Sequence, residues 1–299
     1  VDEGLQQPGT GAAAAGAAGA GAGGDGEARE MRAVTIETAR PLSHSFLWDL
    51  QAQYYEQSGV EAWSSGDVPF TLASAPRVAA VFAQLLVAFV EDCRAGRMGP
   101  YDESEPVYVL ELGAGAGRLA YYVLQALDPE LIAPARLVYV LTDRVEANLQ
   151  FWRAHPKLGE LIAAGRADVA RYEAGSREGL LLEHSGVRLE PGRIANPLAA
   201  TASYLFDVLP QDLYCASPGG LEEEFVEVLG EADYLDAGPS DLLDHIYLAA
   251  HHVPARPERY GERVGRVLTE VADERARSGE RFLFPAAAIR TIDGLSALA

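Results

Sequence analysis

The stretch Glu111-Leu112-Gly113-Ala114-Gly115-Ala116-Gly117-Arg118-Leu119 constrains this chain more than any other. The apolar run Val107-Tyr108-Val109-Leu110 enters it, and a helical pattern from about Gly117 to Leu127 leaves it. A buried strand that passes into a helix through closely spaced glycines can turn sharply and admit a ligand close to the backbone. Free N–H groups at the helix start then face that ligand. A dinucleotide fingerprint has the form G-x-G-x-x-G, its third glycine allowing tight helix–strand packing. Here Arg118 stands at that third position and the spacing is G-x-G-x-G. A second buried-strand pattern, Leu137 to Leu141, ends at Thr142-Asp143, where a carboxylate can accept both ribose hydroxyls of a nucleoside. Arg144 beside it suits a 2′-phosphate, so an NAD(P)-type ligand stays open as the weaker alternative.

The rest of the chain fits an α/β fold. Val145 to Ala154 has helical spacing, and Asp168 to Tyr172 and Leu198 to Tyr204 are candidate third and fourth strands. Strands alternating with helices imply a mostly parallel, Rossmann-like sheet with helices on both faces and right-handed crossovers. Beyond Pro210 the rhythm breaks. Glu224 to Leu229 and His245 to His251 predict an antiparallel pair within an insertion spanning about residues 211–255, followed by a long charged helix over Arg256 to Arg277 and another over Ala286 to Leu298. On the N-terminal side, residues 1–34 include a run rich in Ala and Gly, from Pro8 to Gly26, with too little apolar bulk to offset chain entropy; it is expected to be a disordered tail. Residues 35–100 are expected to form a helical, lid-like extension. Its first helix carries Phe46, Leu47, Leu50 and Tyr54 and ends at Gly59, and its second starts at Pro76. Residues 101–299 form the ligand-binding domain on this reading.

Composition excludes several classes. A formal net charge of −20 repels phosphate backbones, which argues against nucleic acid and favours a basic protein or peptide as partner. The two cysteines, Cys93 and Cys215, form no zinc pattern, so neither a disulfide framework nor a metal is predicted, and an intracellular, reducing compartment is expected. The apolar run Val78 to Val90 is broken by Gln84 and is too short to span a bilayer, so no membrane role is expected.

With these residues in place, the glycine loop resembles motif I of class I S-adenosylmethionine (SAM) dependent methyltransferases. In that family the acid before the loop, here Glu111, orients the methionyl part of SAM. The resemblance implies a cofactor site made of Glu111, Gly113, Ala114, Gly115, Gly117 and Asp143. Two further stretches are similar to the MidA-like methyltransferases, whose eukaryotic members include mitochondrial complex I assembly factors that methylate an arginine. One is Tyr54-Tyr55 followed by Gly66-Asp67-Val68-Pro69-Phe70-Thr71-Leu72-Ala73-Ser74-Ala75-Pro76; the other is Ala202-Ser203-Tyr204-Leu205-Phe206-Asp207-Val208-Leu209-Pro210. Ser203-Tyr204 stands where that family usually has Asn-Glu, and Val68-Pro69 separates Asp67 from Phe70. The resemblance implies methylation of a protein side chain, with Asp67, Phe70 and Ser74 on the substrate side. It also implies a further strand following Ala299, so that the sheet is expected to be incomplete at its C-terminal end. Asp207 is the candidate catalytic carboxylate, able to hold a cationic nucleophile or accept its proton; the alternative is a cap for the turn before Pro210. A chain that keeps the fold but binds or assembles without methyl transfer is the competing reading.

Other chemistry-bearing residues are assigned no function. His251-His252 would point to opposite faces of a strand and lack a third ligand at suitable spacing. His44 is expected at the surface, and Trp48, Trp63 and Trp152 are expected in the core or lid. Glu222-Glu223-Glu224 is expected to be a solvated charge run. Ser64-Ser65 lacks the surroundings of a nucleophile elbow.

Overall fold

The structure, a computed structural model, describes residues 33–64, 74–128, 136–276 and 279–298. It opens with strand β1 (Ala33–Pro41), then helices α1 (Leu47–Ser58), α2 (Glu61–Ser64) and α3 (Pro76–Arg94). Strand β2 (Val107–Leu112) leads through the glycine loop into α4 (Arg118–Ala126). Strand β3 (Leu137–Asp143), helices α5 (Glu146–Ala154) and α6 (Pro156–Ala163) and strand β4 (Ala167–Arg171) follow. A short hairpin, β5 (Leu180–Leu181) and β6 (Arg188–Leu189), precedes β7 (Ala199–Ala202).

Strands β4, β3, β2 and β7 form a parallel sheet in that order, as the alternation of elements requires. Alternate residues of its strands face two separate cores. Val107, Val109, Leu137, Tyr139, Leu141 and Val169 pack against α3 to α6, around the fully buried Trp152. Tyr108, Leu110, Leu112, Val138 and Val140 pack against the β5–β6 hairpin and Leu298 of the last helix. Burial on both faces explains why these strands read as continuous apolar runs. The chain passes from β2 outward to β3 and β4, then returns to the other side of β2 as β7. Such a change of direction leaves a crevice at the C-terminal ends of the strands.

The rest forms an antiparallel sheet. Strands β8 (Asp212–Ser217) and β9 (Gly220–Glu231) are followed by α7 (Pro239–Leu243), β10 (Ile246–Pro254), α8 (Glu262–Arg275), β11 (Arg281–Phe284) and α9 (Ala286–Leu298). The anticipated antiparallel pair is β9 with β10, Tyr247 opposite Leu229 and His251 opposite Phe225. The sheet is larger than the expected pair, because β8, within the expected insertion, and β11, beyond it, join it.

The structure corrects two expectations. The N-terminal extension is not purely helical, since Ala33–Pro41 is a strand paired antiparallel with β9. Its partner lies almost two hundred residues away, and Ile36 packs so closely on Gly230 that a Cβ there would come within 2.3 Å of it. The Glu222 to Glu224 run is not wholly solvated. Glu223 and Glu224 are buried and paired with Arg259 and Arg281 respectively. Alternation along β9 turns Glu223 towards one face and Glu224 towards the other, and each arginine offsets the desolvated charge. Asp67 and Phe70 lie outside the described residues.

Candidate functional site

Gly113, Gly115 and Gly117 all adopt left-handed backbone, with φ of 65°, 53° and 67°. Two of them also need the space. A Cβ at Gly117 would sit 2.9 Å from the Trp152 ring, and one at Gly113 would meet the Leu205 side chain at 3.2 Å. The middle of the loop is clamped from both sides. The Trp152 indole donates to the Gly115 carbonyl at 2.9 Å, and the Gly115 N–H donates to Asp143 Oδ2 at 3.1 Å.

Asp143 therefore lies against the glycine loop, as the strand order anticipated, but its carboxylate is already engaged. Oδ2 accepts from the Gly115 N–H and the Asn148 amide, and Oδ1 from the Val145 N–H. A carboxylate offers about four lone-pair directions, so one on Oδ1 stays open to a ligand. The residue's first role is to fix the loop to the start of α5.

Loop and strand tips enclose a cavity of about 580 Å³. Glu111, Gly113, Ala114, Ser74, Asp143 and Asp207 all line it. Gly115 and Gly117 shape the loop from behind. Glu111 is buried at the end of β2, accepts a 2.9 Å hydrogen bond from the Tyr139 phenol, and forms no ion pair with a described residue. Burial pushes its carboxyl up to about 8, against the favourable pull of Tyr139 and of the Ala120 N–H.

The opposite wall follows β7. Ser203, Tyr204, Leu205 and Asp207 line the cavity there. Tyr204, with φ of 58°, is the one non-glycine residue in left-handed backbone among those described. Backbone held in so sparsely populated a region is held by its surroundings. Asp207 sits in a single helical turn, Phe206–Val208, is exposed, and has no hydrogen-bond or ion-pair partner among the described residues. It does not cap the turn before Pro210.

The third wall comes from the extension expected to be lid-like, although sequence reasoning named none of the following residues for the site. Trp48, Asp49, Ala52 and Tyr55 of α1 line the cavity, with Tyr172 and Glu173 after β4. Helix α1 has no side-chain cap of its own. Glu37 of β1 supplies one, accepting from the Phe46 N–H at 3.0 Å and the Ser45 hydroxyl at 2.5 Å. Trp48 is further fixed by a 2.7 Å bond from its indole to the Leu42 carbonyl. Tyr139 was missed too, although a phenol inside a fully buried strand signals a polar partner. Arg118, at the position that breaks the dinucleotide spacing, lines the cavity and lies over the Tyr122 ring. Arg144 pairs with Glu56 at 2.8 Å. Among the described residues no helix is long and apolar enough to cross a membrane.

No family model and no curated protein matches the chain. Among solved structures it is similar to an uncharacterized superfamily protein of Burkholderia thailandensis, at 18% identity and a TM-score of 0.40, over 84% of this chain and 59% of that one. It is also similar to a candidate methyl transferase of the same superfamily and organism, bound to S-adenosyl-homocysteine, at 17% identity and a TM-score of 0.42, over 84% of this chain and 61% of that one. The chain thus spans about three fifths of the length of these structures. Likeness at this level carries nothing about chemistry.

Proposed function

We propose that the cavity binds SAM and that the chain is a SAM-dependent methyltransferase acting on a cationic side chain of a protein or peptide. One observation carries this reading: a buried acid without a counter-charge among the described residues, the Gly113–Ala114 face of a left-handed glycine loop and a carboxylate on the neighbouring strand tip meet in one cavity at the point where the sheet changes direction. The residues fit the group. Glu111 suits an ammonium, which would relieve its buried charge. Gly113 lines the cavity with backbone alone, the place of a side chain being taken by Leu205. The open lone pair of Asp143 suits a ribose hydroxyl. A dinucleotide is favoured less, because Arg144, the residue suited to a 2′-phosphate, is paired with Glu56.

When bound, SAM supplies an electrophilic methyl on a sulfonium. The protein's share is positioning and exclusion of water. Trp48, Tyr55 and Tyr172 close the cavity with aromatic surface. Asp207, a cavity carboxylate without a partner among the described residues, would hold a cationic nucleophile and take its proton. Asp67, Phe70 and Ser74 remain the substrate-side candidates, of which Ser74 lines the cavity.

Calorimetry with SAM and with NADPH, then transfer of labelled methyl from SAM to a cell extract, tests the reading. SAM binding with transfer is expected. Tighter binding of NADPH would replace it, and SAM binding without transfer would favour the non-catalytic alternative. Asp143→Ala is expected to weaken SAM binding by one to two orders of magnitude, a loss of roughly 1.5–3 kcal/mol. Unchanged affinity would remove Asp143 from the site.

A further inference from the structure

Glu111 is a buried carboxyl that no described residue neutralises by an ion pair. Its neighbours on both sides are accounted for. In the sheet, Val109 of β2 is in register with Tyr139 of β3, so Glu111 and Tyr139 project from the same face one step apart along the strands. The Tyr139 phenol reaches it at 2.9 Å and is itself buried. The opposite strand, β7, offers only Ala and Thr side chains at Ala199–Ala202. From α4 comes the Ala120 N–H. Two cations line the cavity, Arg118 and Arg144, and neither forms an ion pair with Glu111; Arg144 is held by Glu56. Asp49, Asp143, Glu173 and Asp207 share the cavity and add negative charge. The remaining ionisable groups lining it are the phenols of Tyr55, Tyr172 and Tyr204.

We infer that Tyr139 is a positioning residue which holds Glu111 as a proton-coupled receptor for the ammonium group of the ligand, so that binding of that group releases a proton. This rests on the SAM reading and deepens it. In the empty cavity a carboxyl with hydrogen-bond donors but no cation keeps its proton, the state that burial favours. An arriving ammonium makes the carboxylate the better state. The proton leaves to solvent, and carboxylate and ammonium stay paired in the cavity. Tyr139 donates to the Glu111 carboxyl in both states, fixing its orientation and easing its ionisation. Its ring also lines a smaller apolar groove with Phe82, Leu86 and Ala200. The phenol thus anchors the acid to the apolar core behind the cavity.

The test counts protons. S-adenosyl-homocysteine, which carries the ammonium, and 5′-methylthioadenosine, which lacks it, are titrated into the whole chain by calorimetry between pH 6 and 8.5. Buffers of different ionisation enthalpy give the protons exchanged. Wild type is expected to release close to one proton per S-adenosyl-homocysteine at pH 7, less as the pH passes about 8, and none with methylthioadenosine. Tyr139→Phe is expected to weaken S-adenosyl-homocysteine binding about three- to tenfold at pH 7 and to move the release window to higher pH; Glu111→Gln abolishes release. Binding by wild type without proton release, equal release with both ligands, or an unmoved window in a folded Tyr139→Phe protein overturns the inference and leaves the SAM reading standing. No binding of either ligand overturns both. If Tyr139→Phe fails to fold, the wild-type comparison still decides the proton release, and 3-fluorotyrosine at position 139, a stronger donor, is expected to move the release window to lower pH; an unmoved window there overturns the role of Tyr139.

Discussion

Glu111 shows at the scale of one residue how a site is kept ready at a cost in stability. Its folded carboxyl is raised to about 8 from an ordinary 4.5, so the folded protein holds a proton that the unfolded chain gives up between those values. The stability linked to it is complete below pH 4.5 and is lost as pH rises through about 8. Glu111→Gln is therefore expected to match wild type near pH 4.5 and to exceed it above pH 8, by an amount on the order of a few kcal/mol. Urea unfolding at the two ends of that range checks this. Equal unfolding midpoints at high pH would show that the carboxyl is relieved by some other means. Tyr204 carries a different cost, a left-handed backbone that no glycine relieves, placed where the cavity wall turns after β7.

At the scale of elements, the cavity depends on how distant segments brace one another. Helix α1 supplies the wall bearing Trp48 and Tyr55, and its first turn is capped by Glu37 from β1. Glu37→Ala is expected to cost about 1–2 kcal/mol, the range for loss of a helix cap. It is also expected to weaken SAM binding, because the wall shifts with the helix. Chemical denaturation and calorimetry on the same variant check both effects. A loss of stability with unchanged affinity would show that α1 does not touch the ligand. A similar logic links α5 to the glycine loop, through Trp152 on one side of Gly115 and Asp143 with Asn148 on the other.

At the scale of the whole molecule, charge is the dominant feature. A net charge of −20 gives a negative field that speeds encounter with cationic partners and is screened by salt over about 10 Å at 0.1 M. Acidic residues also line the cavity, Asp49, Glu173 and Asp207 among them. If the substrate is a basic peptide, raising salt is expected to lower the rate of methyl transfer at limiting peptide while leaving methylthioadenosine affinity nearly unchanged. Transfer rates and calorimetry across a salt series check this; transfer insensitive to salt would argue for a neutral substrate.

The sequence alone determined the four parallel strands, helices α4 and α5 and the β9–β10 pair, but not α6. Local periodicity encodes burial, and the glycine spacing encodes a turn that only left-handed backbone can make. Glu111 and Asp143 were legible as candidates because acids at the ends of apolar strands stand out from their neighbours; Asp207 entered through the family resemblance of Ala202–Pro210. Only the tertiary structure decided what those acids touch. That Asp143 is engaged by Gly115, that Glu111 meets Tyr139 and pairs with no described cation, and that α1 walls the cavity under a cap from β1 all depend on approaches between segments far apart in the chain. So does the pairing of β1 with β9, whose energy comes from a partner strand that no local pattern in Ala33–Pro41 names. Hydrogen bonds and desolvation act over a few ångströms in space, and the order of residues along a chain leaves those distances unfixed until the chain has folded.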